Sequence, residues 1–318
     1  MSVEFCGLTL EHPVINASGT FDAIAARVAF GPALTERFPF AAFVSKTVTL
    51  AARQGNPPPR LWELGGGMIN SIGLPNKGLS GYLAHDLAEL AALPVPLIVN
   101  VMGFSRKEVG ELVTAFSARD EVAALELNVS CPNVETGLLI GADPVEVSRL
   151  LDHVRPLTAK PLIVKLTPNA NDVVAVARAA QEAGADALSL VNTIRGMALD
   201  PRSGEPWLGG VTGGVSGPAI RAVALAQVYA VCHAVEVPVI GIGAGPATDG
   251  QVLVFHDLLG IYDGHAPRFA KRYGEVKAQM VAGVAEYAAE VRSRAFPAPE
   301  HCYSIDDDEL ERFLTDLG

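Results

Sequence analysis

Four asparagines, Asn70, Asn100, Asn128 and Asn192, supply paired donors and acceptors without charge, a set that suits a planar heterocycle bearing carbonyl and N–H groups. Lys46 and Lys165 add positive charge to a chain whose net charge is −11. They suit an anionic substrate, a phosphate, or the negative charge that develops on a reduced cofactor. Cys131, followed by Pro132, is the one side chain of this set whose pKa lies near enough to neutrality to exchange a proton. Its alternative reading is a small buried thiol, because free cysteine is among the most buried residue types.

These residues cluster at the ends of short apolar runs. The pattern predicts strands over Pro13 to Ser18, Ala42 to Thr49, Leu97 to Met102, Ala124 to Ser130, Leu162 to Thr167, Ala187 to Asn192 and Val239 to Gly243. The runs are apolar throughout, as in parallel strands covered on both sides. Helical spacing appears between them, over Asp86 to Ala92, Lys107 to Ala118, Pro144 to Leu157, Asn171 to Ala183 and Pro218 to Ala234. The order predicts an α/β fold, a (β/α)8 TIM-type barrel in a single domain spanning 1–318, whose C-terminal strand ends build the active site. Asn16, Ser18 and Gly19, then Lys46 and Thr47, Asn100, Asn128, Ser130 and Cys131, Lys165, and Asn192 and Thr193 all fall at such ends.

Composition narrows the function classes. The chain has 318 residues, 49% hydrophobic and 19% charged, which excludes a disordered or fibrous protein. With 24 Lys and Arg against 35 Asp and Glu, it lacks the basic surplus of a nucleic-acid binder. The most apolar stretch, Leu87 to Phe104, is interrupted by Glu89, Pro94, Pro96 and Asn100, so no membrane span is expected. The first ten residues lack a basic start and a long apolar core, and a cytoplasmic location is the expectation. Cys6, Cys131, Cys232 and Cys302 are scattered, and are expected to be thiols with no metal framework.

The segments Asn16-Ala-Ser-Gly19, Lys46-Thr-Val-Thr49, Gly55-Asn-Pro-Pro-Pro-Arg60, Gly67-Met-Ile-Asn-Ser-Ile-Gly-Leu-Pro-Asn76, Glu126-Leu-Asn-Val-Ser-Cys-Pro-Asn133, Val164-Lys-Leu-Thr-Pro-Asn169, Val191-Asn-Thr193 and Thr212-Gly-Gly-Val-Ser-Gly-Pro-Ala-Ile220 carry a specific resemblance in order and spacing. Residues 1–237 resemble class 1 dihydroorotate dehydrogenase, most of all its NAD-linked subgroup. The resemblance implies oxidation of dihydroorotate to orotate in pyrimidine biosynthesis with FMN as cofactor. It makes Cys131 the base and Lys46 a contact to both flavin and substrate. Asn70, Gly73, Leu74, Asn128, Asn192 and Thr193 would hold the substrate. Ser18, Gly19, Thr47, Asn100, Asn128, Lys165 and Val191 would line the flavin, with Gly217 and Gly243 offering backbone N–H groups to its phosphate. It also implies an iron–sulfur FAD electron-transfer subunit as partner and a homo-oligomer.

After Pro238 the pattern changes. Val239-Ile-Gly-Ile-Gly-Ala-Gly-Pro246, Asp249-Gly-Gln-Val-Leu-Val-Phe-His-Asp-Leu-Leu-Gly260, Arg268-Phe-Ala-Lys-Arg-Tyr273 and Phe296-Pro-Ala-Pro-Glu-His301 resemble ketopantoate hydroxymethyltransferase over residues 238–318. The junction suggests a chimera in which one βα unit is missing or replaced. Its rival readings are a transferase of the ketopantoate type and a chimera that binds flavin weakly or not at all and is inactive. Too few residues follow the glycine-rich strand for a parallel crossover, so Gln251 to Leu259 is read as a helix capped by Asp249. His256-Asp257 is read as a capping or surface pair, Tyr273 to Ala295 as a terminal amphipathic helix, and Asp306 to Glu309 as a helix start. No metal site and no dinucleotide fingerprint is expected.

Overall fold

The computed structural model describes residues 2–36, 38–129, 140–242, 248–252, 258–261, 271–302 and 306–316. The chain divides into two compact units, residues 1–255 with 267–270, and residues 256–266 with 271–318.

The first unit opens with a hairpin of β1 (Val3–Phe5) and β2 (Leu8–Leu10). Its two-residue turn holds Cys6 at φ 39° and Gly7 at φ 82°, the positive values that match the twist of paired strands. Next come β3 (Phe43–Val44), β4 (Leu61–Leu64), β5 (Gly67–Asn70), β6 (Leu97–Val101), β7 (Val122–Asn128), β8 (Leu162–Lys165) and β9 (Ala187–Leu190). They are followed by β10 (Ile194–Gly196), β11 (Gly213–Ser216), β12 (Val239–Ile242) and β13 (Gly250–Val252). Among the described residues, β13-β12-β9-β8-β7-β6-β3 form one seven-stranded sheet in which every pair is parallel. This is the curled parallel sheet of a TIM-type α/β fold. A smaller antiparallel sheet, β10-β11-β5-β4, is built from the segments that follow β3 and β9.

The crossover helices start where side chains can satisfy their first N–H groups. Ser105 accepts from Glu108 N at 3.2 Å at the start of Arg106–Ser117, and the Glu108 carboxylate returns to Phe104 N at 2.8 Å. Asp143 precedes Pro144–Val154, with proline in the first turn, and Asp172 caps Val173–Glu182. Arg221–Cys232 follows a 3-10 turn at Pro218–Ile220. The stretch from Gly78 to Ala91 is helical with a π turn at Tyr82–Asp86 in its middle.

Strands β3, β6, β7, β8, β9 and β12 divide their side chains between two cores. Leu97, Val99, Leu125, Leu127, Leu162, Val164, Leu188 and Leu190 pack with helix residues such as Leu112, Phe116, Leu151 and Val176. Ile98, Ala124, Ile163, Ala187 and Ile240 pack instead with Val44, Phe5 and Ile15, on the inner face of the sheet. The alternation follows from the two-residue period of a strand.

Two expected elements differ. Pro13 to Ser18 is not a regular strand, having a bridge at Val14 alone. Beyond Val14, the Asn16 side chain bonds the backbone of Val44 where a neighbouring strand would. Gln251 to Leu259 does not begin as a helix, because Gly250–Val252 pairs in parallel with β12 through Ile240↔Gly250 and Ile242↔Val252. The edge of β12 away from β9 carries backbone groups that a second neighbour, β13, satisfies. Asp249 accepts from Val239 N at 2.9 Å instead of capping a helix. His256 and Asp257 lie outside the described residues.

In the second unit, Tyr273 N donates to Leu258 O at 2.8 Å and Val276 N to Leu259 O at 3.0 Å, leading into the helix Val276–Ser293. That helix lies within the expected Tyr273 to Ala295 segment. The helix Asp307–Asp316 begins within the acidic run, where Asp306 accepts from Asp308 N at 3.1 Å. No helix among the described residues is long and apolar enough to cross a membrane.

Burial first, and the Asp186 carboxylate second, push the Cys6 thiol up from 9.0 to about 12. Native protein at about pH 8 should therefore react with a thiol reagent at Cys6 far more slowly than at the exposed Cys302, and denaturant should abolish the difference. Because the folded value lies above the unfolded one, the stability Cys6 contributes is complete below pH 9.0 and is lost as the pH rises toward 12. Equal labelling of the two thiols in native protein, read by peptide mapping, would contradict this.

Candidate active site

Moving two residues along each inner-facing strand position, from Ile98 to Asn100, Ala124 to Glu126, Ile163 to Lys165 and Ala187 to Ser189, turns the inner face from apolar to polar. The change lies toward the C-terminal ends. Val44 stands in the same relation to Lys46, and Asn128 lies a further two residues beyond Glu126. In register, Asn100 pairs with Glu126, and Lys165 lies between Asn128 and Ser189. A cleft there is lined by Ser18, Glu126, Lys165, Ser189 and Val191, over a floor of Ile15 and Ile240.

One hydrogen-bonded chain crosses three segments. Ser18 Oγ donates to Ser45 O at 2.8 Å and lies 3.4 Å from Thr47 Oγ1, which accepts from Asn128 Nδ2 at 3.3 Å. Glu126, 5% exposed, accepts from Asn100 Nδ2 and, through its other oxygen, from Ser189 Oγ at 2.9 Å. Lys46 is exposed and Lys165 half-buried, and among the described residues neither forms a salt bridge. Gly19, at φ +75°, brings its backbone over the Lys46 stem, where a Cβ would stand 3.9 Å from Cγ.

The remaining expected residues belong to the antiparallel sheet and its loops. Asn70 Nδ2 donates to Gly214 O at 3.2 Å, and a Cβ on Gly214 would overlap Thr193 Oγ1. Asn70 and Thr193 thus flank the same glycine. Asn192 N donates to Leu166 O at 3.2 Å while its side-chain carbonyl accepts from Thr193 N at 2.8 Å. Asn169 anchors this corner, donating to Thr193 O at 3.0 Å and accepting from Arg195 N at 2.9 Å. Gly73 and Leu74 have φ +76° and +56°, with Asn56 packed where a Gly73 side chain would go. Gly217, at φ +90°, precedes the 3-10 turn that leads into the helix Arg221–Cys232. Cys131 and Gly243 lie outside the described residues.

Asn16 also lines the cleft, but its amide is committed to backbone. Its amide donates to Val44 O at 2.8 Å and accepts from Val44 N at 2.7 Å, replacing strand pairing. Glu126 and Ser189, which sequence reasoning did not single out, complete the polar layer. Their signal was present, as one charged residue and one hydroxyl inside otherwise apolar strand runs.

The dihydroorotate dehydrogenase family model matches residues 1–249, which include every described residue of this layer. The chain belongs to the dihydroorotate dehydrogenase family. Members of this family are oxidoreductases. Among its relatives, the catalytic subunit of dihydroorotate dehydrogenase B (NAD(+)) from Pelobacter propionicus is 46% identical over 247 residues, covering 76% of this chain and 79% of the relative. The protein of the same name from Trichlorobacter lovleyi is 41% identical over 300 residues, covering 91% and 96% respectively. A ketopantoate hydroxymethyltransferase model matches residues 216–299, in agreement with the second resemblance of the sequence. The two family matches overlap over 216–249, so they share β12, and the second takes in none of Lys46, Asn100, Asn128 or Lys165.

Replacing Asn16 with alanine should leave the Val44 N–H and C=O unpaired in a buried position. The expected cost is about 2–4 kcal/mol, read as a lowered urea midpoint with unchanged slope. An unchanged midpoint would show that the Asn16 bridge does not hold this dehydrogenase segment in place.

Proposed function

We propose that the chain is the catalytic subunit that oxidises dihydroorotate to orotate in pyrimidine biosynthesis, with FMN bound over the C-terminal strand ends. The observation that carries the reading is the polar inner layer, where amides and hydroxyls surround two lysines without salt-bridge partners among the described residues. This donor set fits a flavin. Ser18, Thr47, Asn128 and Asn100 offer uncharged hydrogen bonds to a heterocyclic rim, and Lys46 and Lys165 offer positive charge where negative charge develops. Asn100 Oδ1, completely buried, has no partner among the described residues, as expected of an acceptor reserved for a ligand. When bound, FMN supplies the acceptor for the hydride that leaves C6 of dihydroorotate.

The chain's own residues do the rest. Cys131 as thiolate takes the C5 proton, so that loss of the proton and of the hydride together leaves the C5–C6 double bond of orotate. Asn70, Asn128, Asn192 and Thr193 orient the pyrimidine ring, with the Gly73 and Leu74 backbone beside them. Lys46 faces both substrate carboxylate and flavin, with Gly19 keeping its approach open, and Val191 backs the ring system. Gly217, before a helix of 12 residues, and Gly243 donate N–H groups to the phosphate. The catalytic-subunit names of the relatives support an iron–sulfur FAD partner that passes electrons to NAD. A homo-oligomer and a cytoplasmic location complete the reading.

Purified protein should carry or take up FMN, and anaerobic dihydroorotate should bleach the flavin band. A protein that takes up no FMN, or bound flavin that dihydroorotate leaves oxidised, would overturn the assignment. Cys131→Ser should bind FMN as before yet be reduced by dihydroorotate about 100-fold or more slowly in stopped flow. Unchanged reduction would remove Cys131 from the base role.

A further inference from the structure

We infer that Glu126 is a positioning residue that sets the polarity of the Asn100 amide, so that Asn100 meets the bound heterocycle as a hydrogen-bond acceptor. The inference rests on the flavin reading proposed above and names what holds one of its contacts in place.

Glu126 stands on β7, Asn100 on the adjoining β6, and Ser189 on β9, so the carboxylate ties together strands on both sides of β8. It is 5% exposed, and Asn100 is 0% exposed. An ionised carboxylate only accepts hydrogen bonds. Asn100 must therefore turn its Nδ2 toward Glu126, since the opposite orientation would set an amide oxygen against a carboxylate oxygen. The amide has one carbonyl, and this choice leaves Oδ1 facing away from Glu126, buried and without a partner among the described residues. A buried acceptor left unpaired is costly, so a ligand N–H is the group that fits it. Ser189 engages the second carboxylate oxygen and keeps Glu126 from rotating away from Asn100. Lys165 lines the same cleft as Glu126.

The expected result of Glu126→Gln follows from hydrogen-bond polarity. Its carboxamide has one oxygen where the carboxylate has two, so Asn100 Nδ2 and the Ser189 hydroxyl compete for it, and whenever Ser189 takes it an N–H faces Asn100, which then turns over and presents Nδ2 to the ligand N–H. FMN affinity of the apoprotein, read by quenching of flavin fluorescence, should weaken about 10-fold or more. Combining Glu126→Gln with Asn100→Asp exchanges the acid and the amide, restores an acceptor toward the ligand, and keeps one negative charge in the layer. The double variant should bind FMN about as tightly as the wild type, within roughly 3-fold, whereas Asn100→Asp alone, with two adjoining carboxylates, should bind it poorly. A merely structural Glu126 would show no such rescue. Binding by Glu126→Gln unchanged from wild type, or a double variant no tighter than the single one, would overturn the inference.

Glu126→Asp provides the same test should the glutamine variant not fold as judged by circular dichroism. It retains the charge but is one methylene short of Asn100, and unweakened FMN binding by it would equally overturn the inference. Wild-type apoprotein titrated alongside separates the two levels. Uptake by the wild type with no effect of the Glu126 variants removes only the role of Glu126, while no uptake by the wild type removes the flavin reading and this inference with it.

Discussion

A parallel strand under helices has two faces that alternate residue by residue, and in this protein nearly everything depends on which face a residue receives. Odd and even positions of β6, β7, β8 and β9 go to different cores, one shared with the crossover helices and one on the inner face of the sheet. A single-residue slip in any of these strands would exchange Lys165 for Val164, or Glu126 for Leu125, and put a charge against the helices. The register that buries the leucines is thus the same register that gathers the polar layer. Stability and site are set by one geometric rule.

That rule leaves the sheet edges and the entry to the site to other devices. Asn16 uses a side-chain amide where no strand forms, and Asp249 does the same for the backbone of Val239. The antiparallel sheet beyond β3 and β9 is held by close backbone packing at Gly214 and Gly217, positions where a side chain would meet Thr193 or Gly67. Asn169 ties its corner to the strand system, accepting and donating at once. These are side-chain and glycine contacts between residues far apart in the chain. They produce no periodicity that a local pattern could reveal.

Much was nevertheless legible. Six of the seven expected strands lie in the parallel sheet, and the helix boundaries fell close to their capping residues because serine and aspartate before an apolar period carry a local physical signal. Motif spacing pointed to the dihydroorotate dehydrogenase family and to the change of pattern in the last quarter, and both family matches agree with it. Pro13 to Ser18 read as a strand because its composition is right for one, yet composition does not disclose that Asn16 would take over the pairing. Gln251 to Leu259 read as a helix because the loop before it looked too short for a parallel neighbour. The unpaired edge of β12, which no local pattern reports, decided in favour of a strand at Gly250–Val252, while residues 253–257 lie outside the described residues.

The amino-acid sequence by itself determined the alternation of strands and helices, the family, and the set of amides, lysines and cysteine from which a site could be made. These depend on residue types at short or fixed spacing. Only the tertiary structure decided how those side chains divide their bonding. It committed Asn16 to backbone, joined Ser18, Thr47 and Asn128 into one chain, and placed Glu126 between Asn100 and Ser189. The physical reason is that an amide or carboxylate has the same bonding capacity wherever it stands in the sequence, and its partners are chosen by strands that meet only after folding.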